Sequence, residues 1–334
     1  MKKSLTLLVL TIFLSFQASA QFGMPKPEDA NKIKERTLLV VLDEVNEKLK
    51  KKIEKKPEKF QKYADEINAY NENLKRTIKN TWNFSSDIRY VTKSEFIKIR
   101  KNKKDSKSYA YFTNNVQRSP DRLLSSSNSI STPDIYTLDL GLADEKKPFH
   151  SMMYTTSHPG EADLTFILQQ FQNLLVGLQK SEGKKRPSRK EMKAEFAKNA
   201  KKIKEKTLLF DKEKVEKKLL SQISKIYKFD YELTDRETID KAILSRDSKY
   251  AYVRAFPMYQ QNSSSSGNAG KVSVGFSVSK LMYVQYVVDA ENGELLAYAA
   301  PATVGLGGNL ATSTKSSNEK TSVKDLKKIV ETMK

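Results

Sequence analysis

The apolar positions of this chain follow one pattern twice. Residues 37–42 (Thr-Leu-Leu-Val-Val-Leu) form an unbroken apolar run, the mark of a strand covered on both faces, and 208–210 repeat it. Asp43 and Asp211 each stand where a helix N-cap is expected. Apolar residues then fall at helical spacing: Val45, Leu49 and Ile53 in one case, Val215, Leu219 and Ile223 in the other. Each run continues through an aromatic-x-Phe pair, Trp82-Asn83-Phe84 or Tyr227-Lys228-Phe229, into a short strand at 88–92 or 231–234. An amphipathic helix follows, carrying Phe96, Ile97 and Ile99, or Ile239, Ala242, Ile243 and Leu244.

The next strands are predicted at 109–113 and 250–256, with serine-rich loops at 125–129 and 263–267 behind them. Two more strands complete each set, at 135–140 and 151–155, then at 272–288 and 294–300. Between the last two, Asp289-Ala290-Glu291-Asn292-Gly293-Glu294 reads as a hairpin turn with Gly293 at a positive φ. It resembles a calcium loop only in its first acids. A closing helix ends each set: a wide stripe of Leu164, Ile167, Leu168, Phe171, Leu174, Leu175 and Leu178, then a Ser322/Asp325 capping box ahead of Leu326 and Ile329.

Direct repetition supports the pattern, since Lys32-Ile33-Lys34-Glu35-Arg36-Thr37-Leu38-Leu39 returns as Lys202-Ile203-Lys204-Glu205-Lys206-Thr207-Leu208-Leu209. The expected fold is α/β: two duplicated three-layer modules, each a mixed sheet flanked by helices in the order β-α-β-α-β-β-β-α. The modules are expected at 32–180 and 202–334, after an N-terminal extension at 21–31 and around a basic linker and helix at 181–201. The first copy alone carries about 25 additional residues. There Phe60, Tyr63, Ile67, Tyr70, Leu74 and Ile78 mark a long amphipathic helix over 57–82, with Pro57 in its first turn.

Residues 1–20 have the layout of a secretory signal peptide: Met1-Lys2-Lys3, an apolar run from Leu5 to Phe16, and Ala18-Ser19-Ala20. An exported chain with no cysteine has neither disulfides nor a lipid-modified cysteine, so a periplasmic or secreted protein that is not a lipoprotein is expected. No further run is long enough to span a membrane. The formal charge of +20 would suggest nucleic acid in a cytosolic protein. Export turns that expectation toward an envelope protein or an anionic glycan such as lipopolysaccharide, and away from DNA or RNA. The run 180–206 holds twelve basic and four acidic residues, most simply the solvated face of a helix.

Candidate chemistry is sparse. The two histidines, His150 and His158, flank one predicted strand, and His158 leads into Glu161 and Asp163 at a helix start. Two imidazoles and a carboxylate have the donor types of a zinc site, but eight strand residues hold the rings apart. Glu161 and Asp163 also suit a helix N-terminus electrostatically. Gly275-Phe276-Ser277-Val278-Ser279 lacks the second glycine of a nucleophile elbow, and Gly305-Leu306-Gly307-Gly308 does not open a helix as a phosphate loop must. No catalytic, cofactor or metal residue is assigned, and no cofactor is expected.

The Lys-Thr-Leu-Leu string, the aromatic-x-Phe pair and Asp247-Ser248-Lys249-Tyr250-Ala251-Tyr252 together resemble uncharacterised exported bacterial proteins built from two tandem α/β modules. That resemblance implies the fold and no activity. The expected function is non-enzymatic binding or scaffolding in the cell envelope, through the cleft between the modules or the long helix over 57–82. The alternatives are an envelope hydrolase using carboxylates or His158 with Glu161, and a binder of anionic polymer.

Overall fold

The computed structural model describes residues 26–46, 50–51, 55–117, 135–182, 189–263, 277–300 and 319–334. It is an α/β protein with two mixed five-stranded sheets flanked by helices. The signal-peptide expectation, the glycine string 305–308 and most of both serine-rich loops fall outside these residues.

The first sheet takes its strands from β1 (Thr37–Leu42), β2 (Ile88–Thr92), β3 (Tyr109–Gln117), β4 (Ile135–Leu142) and β5 (His150–Tyr154), in the order β2-β1-β3-β4-β5. β1 runs parallel to both β2 and β3, and β4 and β5 return antiparallel. β6 (Thr207–Asp211), β7 (Tyr231–Thr234), β8 (Tyr250–Ser263), β9 (Ser277–Asp289) and β10 (Leu295–Ala299) repeat that order as β7-β6-β8-β9-β10. The parallel and antiparallel pairings recur as well.

Helices α1 (Pro27–Glu35), α2 (Pro57–Thr81), α3 (Lys93–Lys101) and α4 (Glu161–Ser181) belong to the first half. To the second belong α5 (Arg189–Lys201), the single turns α6 (Lys217–Leu220) and α7 (Ile223–Ile226), α8 (Arg236–Ser245) and α9 (Val323–Thr332). Local chemistry sets several of their ends. Thr92 with Glu95 and Ser322 with Asp325 form complete capping boxes, and Asp235 caps α8 by accepting from the Thr238 N–H. Pro57 occupies the first turn of α2, where its missing N–H is no loss.

Asp43 is not a helix cap. The four residues after β1 are irregular, and its carboxylate is bound elsewhere; the rest of the helix expected over Val45–Ile53 lies mainly outside the described residues. Asp211 does cap, accepting from the Glu213 N–H, but only for a short 3-10 turn.

The modules do not bury separate cores. Leu38, Val40, Ala110, Phe112, Leu138 and Leu140 of the first sheet join Leu209, Tyr252, Phe256, Val284, Tyr286 and Val288 of the second in one cluster. Between them lies α4, which packs on α1 and α2 of its own half and on α8 of the other. Its Leu164, Phe166, Leu168, Phe171 and Leu175 are almost wholly buried, and so are Thr165, Gln169 and Gln170. The helix serves two sheets, so its buried surface extends beyond the apolar stripe read from sequence. The outer face of the second sheet, with Leu208, Phe210, Ala251 and Val287, is covered separately by α5 to α7 and α9.

Polar ties reinforce the junction. The turn between β9 and β10 places Gly293 at φ +73, and its carbonyl accepts from Gln170 Nε2 on α4 at 2.7 Å. Within the second module, Lys202 and Lys206 of the basic run bind Glu294 at 2.6 Å and Asp289 at 3.1 Å and so hold the same turn. Two of the three acids of the calcium-like string, Asp289 and Glu294, are therefore held by lysines.

Candidate functional site

In α/β sheets ligands bind beyond the carboxyl ends of the parallel strands, where neighbouring connections diverge. In the first module this place lies past β1 and beside β3. It is filled. The long helix α2 sets Tyr70 there, 2% exposed, with its ring centroid 5.1 Å from that of His158. Asn71 on the next position grips the strand's continuation: its Oδ1 accepts from the Asp43 N–H and its Nδ2 donates to the Asp43 carbonyl, both at 2.9 Å. Asn114 on β3 donates to Asp43 Oδ2 at 2.9 Å and to the Ser157 carbonyl at 3.1 Å. The Tyr154 hydroxyl bonds Asn114 Oδ1 in turn. Burial first, with Tyr70 and Asp43 adding to it, raises the Tyr154 hydroxyl far above its ordinary range, so it remains a neutral donor.

The candidate residues of the sequence separate. His150 is 3% exposed within β5, stacked edge-on to Phe171 at 5.6 Å, and burial lowers its pKa to about 4. His158 Nε2 lies 3.6 Å from Asp43 Oδ2. Glu161 does not join it, because both of its oxygens accept from Arg76 Nε on α2 at 2.8 Å. Asp163 faces the other module, where its Oδ1 accepts from Arg236 Nη2 and Arg254 Nη2, each at 2.5 Å. The pairing of His158 with Glu161 is thus replaced by His158 with Asp43. Among the described residues no three histidines or acids gather as a metal site.

In the second module the corresponding place is open. Only the single turns α6 and α7 stand where the first module has its 25-residue α2. A crevice of about 230 Å³ lies there, lined by Phe210 and Asp211 at the end of β6 and Lys214 after it, by residues 252–257 of β8 and by Tyr283 and Gln285 of β9. The first module supplies the facing wall through Met153–Thr156, Pro159, Asp163 and Phe166. Both halves of the chain therefore build it.

Its charges are internally matched. Burial alone would raise the Asp163 carboxyl, but the Arg254 and Arg236 guanidinium groups outweigh that and hold it at about 2. Arg254 also lies over the Phe166 ring, 4.5 Å from its centroid, in a cation–π contact. Lys214 pairs with Glu319 at 2.8 Å, and Asp211 accepts from the Glu213 N–H at 3.0 Å. A carboxylate held ionised by two fixed cations is suited to positioning, not to proton transfer at neutral pH.

Sequence reading pointed to a cleft between the modules but named none of its lining, which depends on where β6 stops relative to β8 and on which wall the first module supplies. The difference in length between the two copies was its one visible signal. Among the described residues no helix is long and apolar enough to cross a membrane. Comparison with family models, with curated proteins and with solved structures finds nothing that matches this chain.

Proposed function

We propose that this protein is a non-enzymatic binding protein of the bacterial cell envelope and that its ligand enters the crevice between the modules. One observation carries the reading: of two equivalent strand-end sites, the first is plugged by Tyr70 and Asn71 and the second is open and walled by both modules. A duplicated fold in which one copy closes its site and lends a wall to the other has specialised the second copy for contact. Export follows from the signal-peptide layout of residues 1–20. Binding fits the crevice better than hydrolysis, because Asp163 is held ionised between two arginines and Glu319 pairs with Lys214.

Ala255 lines the crevice with a small side chain, so Ala255→Trp fills it. After incubation with a bacterial envelope extract and re-isolation, native mass spectrometry should show added mass on the wild type and none on Ala255→Trp. Equal masses for the two proteins, with thermal unfolding showing both folded, would remove the crevice as the site.

A further inference from the structure

β8 outruns its neighbour on one side. Its parallel pairing with β6 ends at Leu209↔Tyr252, whereas its antiparallel pairing with β9 continues to Ser263↔Ser277. The main-chain groups of a strand turn alternately toward its two neighbours. Here the Lys249 carbonyl accepts from the Thr207 N–H at 2.9 Å, on the β6 side. The Tyr250 carbonyl accepts from the Ala290 N–H at 3.1 Å, on the β9 side. Alternation then turns the backbone of residues 253, 255 and 257 toward β6, and beyond Tyr252 no strand among the described residues lies alongside to meet them.

All three of these residues line the crevice. The last of them is Pro257, which has no N–H to leave unpaired, as suits an open strand side. Val253 and Ala255 are half-buried and small, leaving room for another chain against the edge. Lys214 pairs with Glu319, and Arg236 and Arg254 pair with Asp163, a balance of charge that suits a neutral polar chain, while the buried Arg254 Nη1 has no hydrogen-bond partner among the described residues.

We infer that the crevice takes an extended peptide, which adds as a short strand to the open side of β8 between Val253 and Pro257. The inference rests on the crevice being the ligand site. It names the ligand's class: main-chain amides give affinity through the Val253 carbonyl and the Ala255 N–H and carbonyl, and alternate side chains reach the walls. Five strand residues span about 16 Å, so two or three peptide amides are engaged.

The test begins with a phage-displayed random heptapeptide library panned on the full chain. A selected peptide, remade synthetically, should lose binding about tenfold when N-methylated at one set of alternate residues and little at the other set. It should slow hydrogen exchange at the Ala255 amide. Ala255→Pro removes that N–H without touching the β9 pairing and should abolish binding, whereas Ala255→Val retains it. The N-methyl scan needs no variant to fold. Peptides insensitive to N-methylation, or unchanged exchange at Ala255, would overturn strand addition. If no peptide is selected while Ala255→Trp still blocks added mass from envelope extract, strand addition fails and the crevice survives as a site. If neither is seen, both readings fail.

Discussion

Asp163 of the first module and Arg254 of the second are joined by a 2.5 Å hydrogen bond from Nη2 to Oδ1, and Arg236 shares the same oxygen. Removing the carboxylate leaves two guanidinium groups facing each other in a partly enclosed wall. Asp163→Ala should destabilise the chain by about 2–4 kcal/mol, below the full cost of breaking a wholly buried pair because Asp163 retains some exposure. Urea unfolding of wild type and variant measures this.

The same carboxyl gives an acid limb to stability. Its folded pKa of about 2 lies below the unfolded value near 3.9, so its contribution is present above about pH 4 and is lost as pH falls toward 2. Unfolding midpoints across that window should fall for the wild type and flatten for Asp163→Asn.

His150 acts at higher pH. With a folded pKa of about 4 against about 6.5 unfolded, the unfolded state binds the extra proton between those values. Stability should therefore decline from pH 6.5 to pH 4, by about 3 kcal/mol at the lower end. His150→Leu should lose that slope while keeping the loss below pH 4 that Asp163 causes.

Gly293 is held at φ +73, and a Cβ there would stand 2.5 Å from Gln169 Oε1 and 2.7 Å from Gln169 Cβ on α4. Gly293→Ala combines left-handed strain with a clash across the module junction, so a loss of about 2–4 kcal/mol is expected. Asn292→Ala, one residue earlier, should cost less than half as much in the same thermal unfolding assay, because it loses a turn hydrogen bond at an exposed site.

Asn71→Leu should cost about 1–3 kcal/mol, because the Asp43 N–H and carbonyl both lose their side-chain partner. It should also speed hydrogen exchange at the Asp43 amide, whereas exchange at Leu209 in the second module should not change.

Much of the fold was legible in the sequence. The run at 37–42 and its echo at 208–210, the capping box at Ser322 and the stripe along α2 are local signals, and each marks an element that formed. What was missed was non-local. Asp43 looked like a cap because sequence shows only its neighbours, while its partner Asn114 lies 71 positions away. Nothing local marks Gln169 and Gln170 for burial, yet they are buried because the second sheet's hairpin turn lies over them. Glu161 and Asp163 shared a helix start in the sequence, but two residues apart on a helix is a large change of direction, and they face Arg76 and Arg254.

The central position of α4 also bears on how such a chain can evolve. A tandem repeat begins as two interchangeable parts, either of which is dispensable. Once a helix of the front half supplies the floor beneath the rear sheet, a break at 182 would leave one fragment with a greasy flank and the other with a gaping underside. The two halves must thus be kept together, with rims free to vary while the spine between them stays fixed.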